Sequence, residues 1–455
     1  MNLKHLKHAY FIGIGGIGMS AIARYFNSIG MEVVGYDKTA NPFTKQLESE
    51  GIAIHYEDNK KHIPSFVNSE EAIVIYTPAI PKDNKILDFI VSKKIELFKR
   101  AQVLGLISQN SYTLAVAGTH GKTTTSSLVA HILNENNINF TAFLGGISTN
   151  LKSNYIHKTD GIQLFDKTIM VVEADEYDRS FLQLQPDVAI VTSTDADHLD
   201  IYGEANKVKE SFQDFVNLIN KNGVAILNEK TDLTANCEQI NYGFDKENEA
   251  FAADVKIVDF QFGFDFCFED KRTHVINGLP GFHNIENATS AIVMCQKIGL
   301  SLDKIANSCK TFLGVKRRFE YIVNKEYIVI DDYAHHPTEL ESFIKSVKEL
   351  YPKKQITGIF QPHLFSRTRD FADDFASALD MLDNCWLMDI YPAREQPIEG
   401  INAEFLAFKM NKTPLITVGV NILKHLKERK PEVLLIMGAG DIDQLIQPIR
   451  EIYNA

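Results

Sequence analysis

Short apolar runs, each closed by glycine or a polar cluster, recur along the chain. Residues 9–12, 31–36, 72–76, 113–117, 168–172, 187–192, 224–228, 327–332, 356–360, 385–390 and 433–438 are predominantly hydrophobic. Runs of this length without in–out alternation predict parallel strands buried on both faces. Amphipathic stretches lie between them. Val208, Phe212, Phe215, Val216 and Ile219 recur at helical spacing and predict a helix over 205–219. Further helices are predicted over 19–28, 100–107 and 302–309, from Leu128 and from Glu339. From about 239 to 277 the pattern changes to short alternating stretches, such as 255–262, which predict appended antiparallel strands. The expected architecture is α/β in three domains, 1–108, 109–313 and 314–455, with a hinge at 313–315.

Candidate chemistry sits at the strand ends. The run 113–117 passes through Gly118-Thr119-His120-Gly121-Lys122-Thr123-Thr124 into a helix. Strand, tight glycine loop and helix start make a phosphate cradle, because backbone N–H groups and the positive helix end converge on an anion. Lys122 is placed to reach outer phosphates and the Thr123 hydroxyl to ligate Mg²⁺. Val116 stands where the first glycine of the general pattern is expected. The bland reading makes Gly118 and Gly121 ordinary turn glycines. An earlier turn, Gly13-Ile14-Gly15-Gly16-Ile17-Gly18, has Asp37 at the end of the next strand. This is the dinucleotide fingerprint of a Rossmann-like unit, and alone it predicts NAD, although any nucleotide diphosphate satisfies the same physics. Asp37 suits a ribose hydroxyl or a base edge. Thr77 opens another strand-to-loop switch, and Met437-Gly438-Ala439-Gly440-Asp441 is a third glycine turn.

Acids and histidines follow the other strands. Glu173, first off the run 168–172, is the candidate for holding a nucleotide-bound Mg²⁺, whereas Asp175, Glu176 and Asp178 read mostly as a solvated turn. His198 reads as a ligand of a second divalent ion, as an orienter of a ligand carboxylate, or as structural. Asn287 caps a helix or meets an adenine edge. Arg317, in a basic cluster, is a surface charge or reaches nucleotide phosphate. Asp331, Asp332, Tyr333, His335 and His336 crowd one strand end, and Gln361, His363, Arg367 and Arg369 follow the next. Arg100 reads equally as a surface charge or a functional one. His5, His8, His55 and His62 read as surface residues.

The 455 residues carry a net charge of −12 with no block of like charges, which argues against a nucleic-acid partner held by bulk electrostatics. No apolar run is long enough to span a bilayer, so no membrane partner is expected. The basic start, Met1 to His8, leads into a first strand and does not read as a signal peptide. Five scattered cysteines without a Cys-x-x-Cys pair fit reduced thiols in a cytoplasmic protein.

Taken together, these motifs resemble the Mur ligases, ATP-dependent amino-acid-adding enzymes of peptidoglycan synthesis, over nearly the whole chain. The family's phosphate loop also lacks the first glycine, which accounts for Val116. The resemblance implies a central P-loop ATPase-type domain with appended strands between two Rossmann-like domains. It implies ATP on Gly118, Thr119, His120, Gly121, Lys122, Thr123 and Thr124, with Asn287, Arg317 and Asp332. Mg²⁺, for which Mn²⁺ may substitute, falls on Thr123, Glu173 and His198. It places a UDP-sugar on Gly13, Gly15, Gly16, Ile17, Gly18, Asp37 and Thr77. Gly13 to Ser20, Asp332 to Glu339, Gln361-Pro362-His363 and Tyr391 to Glu395 are similar to members that add L-alanine to UDP-N-acetylmuramate. For them it implies Tyr333, His335 and Arg367 as the amino-acid pocket, with Lys122, Glu173, His198, His335 and Arg367 as catalytic groups. Several relatives place arginine after His363, where this chain has Leu364, which leaves Arg367 as the partner of the amino-acid carboxylate. The implied assembly is a monomer or weak homodimer whose turnover requires closure about 313–315. Rival readings are a tripeptide-adding ligase for the same acceptor, an NAD-dependent oxidoreductase, and a non-catalytic nucleotide-binding regulator.

Overall fold

The computed structural model describes residues 3–81, 83–195, 205–393 and 395–454. Three sheets carry the architecture. The first contains β1 (His8–Ile12), β2 (Glu32–Tyr36), β3 (Ala53–His55), β4 (Ala72–Tyr76) and β5 (Leu97–Lys99), in the order β3-β2-β1-β4-β5. All four neighbouring pairs are parallel. Ile12 lies opposite both Tyr36 and Tyr76, so the segments following β1, β2 and β4 leave the sheet at one edge. The strand order reverses at β1, which opens a crevice there.

The second sheet has ten strands: β6 (Tyr112–Ala117), β7 (Phe140–Phe143), β8 (Tyr155–Lys158), β9 (Ile169–Glu173), β10 (Val188–Val191), β11 (Val224–Asn228), β12 (Glu238–Gly243), β13 (Ala250–Val258), β14 (Gln261–Phe268) and β15 (Lys271–Asn277). Their order is β15-β14-β13-β12-β11-β10-β6-β9-β7-β8. β6 lies between β9 and β10, parallel to both, with Val116 opposite Glu173 and Ala117 opposite Val191. One expectation fails here. β12 is parallel to β11 and meets β13 in parallel, so the antiparallel addition does not begin at 239. β12 is only half covered, and its mixed exposure produces the alternation that suggested an antiparallel strand. Two-residue connections at 259–260 and 269–270 join β13 to β14 and β14 to β15. All four residues have positive φ, the backbone that a two-residue hairpin demands.

The third sheet, in the order β16-β17-β21-β18-β19-β20, comprises β16 (Glu320–Asn324), β17 (Ile328–Asp332), β18 (Ile356–Phe360), β19 (Asn384–Leu387), β20 (Leu415–Ile416) and β21 (Val433–Met437). Only the edge strand β16 is antiparallel. Asp332, Met437 and Phe360 are in register, so 333–338, 361–367 and 438–441 emerge along one edge.

The chain folds into two compact units. The first comprises Met1–Asp254, Asp265–Val275 and Glu286–Phe312; the second comprises Val255–Phe264, Ile276–Ile285 and Leu313–Ala455. In the first unit one continuous core runs from Phe11, Ile22 and Phe26 through Phe143 and Val172 to Phe181 and Phe212. In the second, Val329, Ile359, Leu434 and Ile436 form the centre. The helix after the phosphate loop spans Lys122–Glu135, starting six residues before the expected Leu128. Thr123 to Ser127 are buried in its first turns. Hydroxyl residues favour turns in isolation, and here packing overrides that preference.

Candidate functional site

The phosphate loop is organised by two glycines. Gly118 has φ +133° and Gly121 φ +81°, both in the region that favours glycine. A β-carbon on Gly118 would overlap Thr192 Oγ1, and one on Gly121 would fall 2.5 Å from Asn287 Oδ1. Asn287 therefore lies directly against the loop. Ser193 secures the turn: Thr119 N–H donates to its carbonyl at 3.2 Å, and His120 N–H donates to its Oγ at 2.9 Å. His120 Nε2 lies 3.5 Å from Asp195 Oδ2. Thr123 and Thr124, the second and third residues of the helix, are almost fully buried.

Lys122 Nζ donates to Gly118 O and, at 3.3 Å, to Thr119 O. It also pairs with Glu176 Oε2 at 2.8 Å. Burial pulls this amine's pKa down, but Glu176 and then Glu173 outweigh it and hold the pKa above the ordinary lysine value. Glu176 is 2% exposed, so the expectation that it belongs to a solvated turn is wrong. Its burial is dictated by a partner 54 positions away, which no local sequence pattern reveals. Glu173 leaves β9 beside the loop and accepts the Gly145 N–H at 2.9 Å. His198 lies outside the described residues.

The glycine turn of the first sheet is equally tied down. Gly15 N–H donates to Asp37 Oδ2 at 2.7 Å, so Asp37 already holds the loop it was expected to serve from afar. Thr77 Cγ2 lies 2.6 Å from where a β-carbon of Gly13 would sit. Gly16 precedes the helix Ile17–Ser28, and Ile17 O accepts Asn154 Nδ2–H at 2.9 Å. Arg24, 6% exposed, bonds to Glu50 at 2.8 Å and to Asn154 at 3.0 Å, a brace that no motif announced. Arg100 is not a free surface charge, since its Nη2 lies 3.4 Å from Asp175 Oδ2. Nor is His55 merely a surface residue: Nε2 lies 3.0 Å from the hydroxyl of the buried Tyr10.

In the second unit the strand ends gather a further polar cluster. Asp331, 0% exposed, has its carboxyl pushed up to about 7 by burial, although Arg317 Nε at 3.2 Å opposes the shift. Arg317 also donates to Gly438 O at 2.7 Å and lies over the Tyr333 ring, 5.1 Å from its centroid. It is thus not a free surface charge. Asp332 is pushed up to about 6 by burial and accepts the N–H groups of Phe319 at 2.7 Å and Ala334 at 2.8 Å. His335 Nδ1 lies 2.9 Å from Tyr333 O and 3.4 Å from Glu339. Its ring meets those of Tyr333 and His363, and His363 stacks on Tyr391. Arg367 is 8% exposed in the short helix Phe365–Asp370. The residue before that helix, Leu364, has φ +71°, a strained backbone for leucine and the kind of distortion that gathers at functional sites.

The register brings Tyr333 and His335 to one edge of the third sheet, where Arg317 bonds to Asp331 and Gly438. Within the first unit it brings Gly118–Thr124 and Glu173 to one end of the second sheet, with Asn287 against Gly121 from a neighbouring helix, and Gly13–Gly18, Asp37 and Thr77 to one end of the first. Sequence reasoning missed Glu176, Ser193, Arg24 and Asn154. All four act through partners remote in sequence and leave no periodic signal.

Known proteins resemble this chain throughout its length. Three family models match: Mur ligase family, catalytic domain, over 8–112; Mur ligase middle domain over 116–295; and Mur ligase, glutamate ligase domain, over 317–440. The UDP-N-acetylmuramate–L-alanine ligase of Christiangramia forsetii is 44% identical over 455 residues, 99% of this chain and 98% of the relative. That of Flavobacterium johnsoniae is also 44% identical, over 100% and 99% of the two chains. The crystal structure of the Thermotoga maritima UDP-N-acetylmuramate–alanine ligase superposes with a TM-score of 0.80 at 26% identity, covering 98% of this chain and 99% of that one. A murein peptide ligase from Psychrobacter arcticus shares the fold, with a TM-score of 0.68 at 22% identity and 98% coverage of each chain.

Proposed function

Because the chain belongs to the Mur ligase family, we propose that it is an ATP-dependent ligase joining L-alanine to the carboxylate of UDP-N-acetylmuramate. The observation that carries this reading is the presence of two separate anion cradles in one compact unit, in a chain 44% identical along its length to ligases of that name. The domain assignments are 1–108 for the UDP-sugar, 109–313 for ATP and 314–455 for the amino acid. The nicotinamide reading of Gly13–Gly18 is not favoured, because it leaves the loop at Gly118–Thr124 without a role.

A carboxylate is too poor an electrophile for an amine. The γ-phosphoryl group of ATP moves to a carboxylate oxygen, giving ADP and an acyl phosphate. The neutral amine of L-alanine then attacks the acyl carbon, and phosphate departs from the tetrahedral adduct as the amide forms. Little covalent work falls to the protein, whose task is positioning and charge neutralisation. Lys122 exchanges Glu176 for the outer phosphates of ATP, and the N–H groups of the glycine loop cradle them. Asn287 faces the nucleotide. Thr123 and Glu173 offer only oxygen donors, which suits Mg²⁺. Among the described residues no group of three His, Cys, Asp or Glu could hold a metal alone, so Thr123 and Glu173 would hold the ion together with the nucleotide it accompanies. The ion neutralises phosphate charge when bound. Tyr333, His335 and Arg367 receive L-alanine, with the Arg367 guanidinium on its carboxylate.

Phosphate release tests the proposal. With ATP and UDP-N-acetylmuramate, L-alanine should drive it and the tripeptide L-alanyl-D-glutamyl-diaminopimelate should not. Release with the tripeptide alone would assign the chain to the recycling reaction, and release with neither would remove the ligase reading.

A further inference from the structure

We propose that Arg100 binds an anionic group of the UDP-sugar, with Asp175 as the residue that positions it. The inference rests on the functional reading above and concerns the same acceptor site. Arg100 opens the helix Arg100–Gln109 directly after β5. Its side chain lies along the glycine turn: a β-carbon on Gly18 would fall 3.0 Å from both Cδ and Nη1 of Arg100. Asp175 is oriented for its part. Its Oδ1 accepts the Tyr177 N–H at 3.1 Å, and its Oδ2 faces Arg100 at 3.4 Å.

That ion pair explains little as a structural device. The two side chains are 26% and 40% exposed, and pairs this open and this long contribute little to stability. Guanidinium has five donors in a planar fork. A phosphate or carboxylate on the glycine turn would take two of them bidentately. The placement is also firm. At Gly105, in the middle of the same helix, a β-carbon would overlap Gln183 O, so backbone meets backbone where the helix packs on the turn Tyr177–Gln183.

The acidic turn thereby serves both cradles. Ala174 N–H donates to Val116 O at 2.8 Å, fixing the turn to the strand of the phosphate loop. Asp175 then faces Arg100 at the glycine turn, and Glu176 faces Lys122 at the phosphate loop. Two consecutive carboxylates hold the two cations that would receive the two substrates' anions.

Calorimetric binding of UDP-N-acetylmuramate and of UDP-N-acetylglucosamine, which lacks the carboxylate, tests this, with ADP binding as the control for folding. Arg100→Ala should weaken UDP-N-acetylmuramate about ten- to hundredfold, the loss of a charged hydrogen bond, and Arg100→Lys should weaken it less. ADP affinity should stay within about twofold in both variants. An equal loss for both UDP-sugars identifies the pyrophosphate as the bound group; a loss for UDP-N-acetylmuramate alone identifies its carboxylate. Asp175→Asn should raise the KM for UDP-N-acetylmuramate and leave those for ATP and L-alanine unchanged. If Arg100→Ala binds both sugars as tightly as the parent, the proposal is overturned. If Asp175→Asn raises all three KM values alike, the positioning role is overturned. A parent protein that binds neither UDP-sugar would instead overturn the functional reading beneath it.

Discussion

Lys122 is a residue under two demands, since the proposed reaction asks its amine to meet phosphate while the fold keeps it mostly buried, 13% exposed beside a carboxylate that is 2% exposed. Removing one partner of such a pair strands the other without solvent. Lys122→Ala should therefore abolish phosphate release and cost about 1–3 kcal/mol of stability, because Glu176 must then take up a proton or remain an unpaired charge. Adding Glu176→Gln should restore most of that stability and none of the activity, while UDP-N-acetylmuramate binding persists throughout. Urea titration and a phosphate-release assay read the two effects separately. Turnover by Lys122→Ala near the parent rate would remove this lysine from the chemistry. The lysine is legible in the sequence because its neighbours Gly118 and Gly121 mark the loop. Its carboxylate is not, since Glu176 sits in a run of acids that looks solvated until the fold closes over it.

Elements were read well where one face or both faces are fully covered, and badly where cover is partial. β6, β9, β10 and β21 are buried along nearly their whole length and stand where the pattern placed them. β12 is half exposed, and its alternation predicts an antiparallel strand where the pairing is parallel. The joint between the helix Arg100–Gln109 and the turn Tyr177–Gln183 was invisible, because its determinant is the missing side chain of Gly105. Gly105→Val would need a shift of backbone against backbone there. It should lower stability by about 1–3 kcal/mol, as overpacking of a tight interface does, and weaken UDP-N-acetylmuramate binding through the displaced Arg100. A thermal midpoint equal to that of the parent would show that helix and turn do not meet closely in solution.

For the molecule as a whole, the two compact units divide the expected ligands. Every group assigned to the UDP-sugar, from Gly13 to Thr77, lies in the first unit, and Tyr333, His335 and Arg367 lie in the second. A ligand stabilises only what it binds, by about 2.7 kcal/mol at a hundred times its Kd. Scanning calorimetry should therefore resolve two transitions, and UDP-N-acetylmuramate should raise one of them while leaving the other in place. A single transition that moves as one would show that the units unfold together.

The amino-acid sequence alone determined that this is a three-domain α/β protein with two glycine turns between strand and helix, because an apolar run and a glycine turn are both written in residues a few positions apart. Tertiary structure alone decided which charges face those turns. Lys122 meets Glu176 across 54 positions, and Arg100 meets Asp175 across 75. Coulombic attraction depends on distance in space: the register of β6 against β9 brings Lys122 to Glu176, and the packing of the helix Arg100–Gln109 on the turn Tyr177–Gln183 brings Arg100 to Asp175.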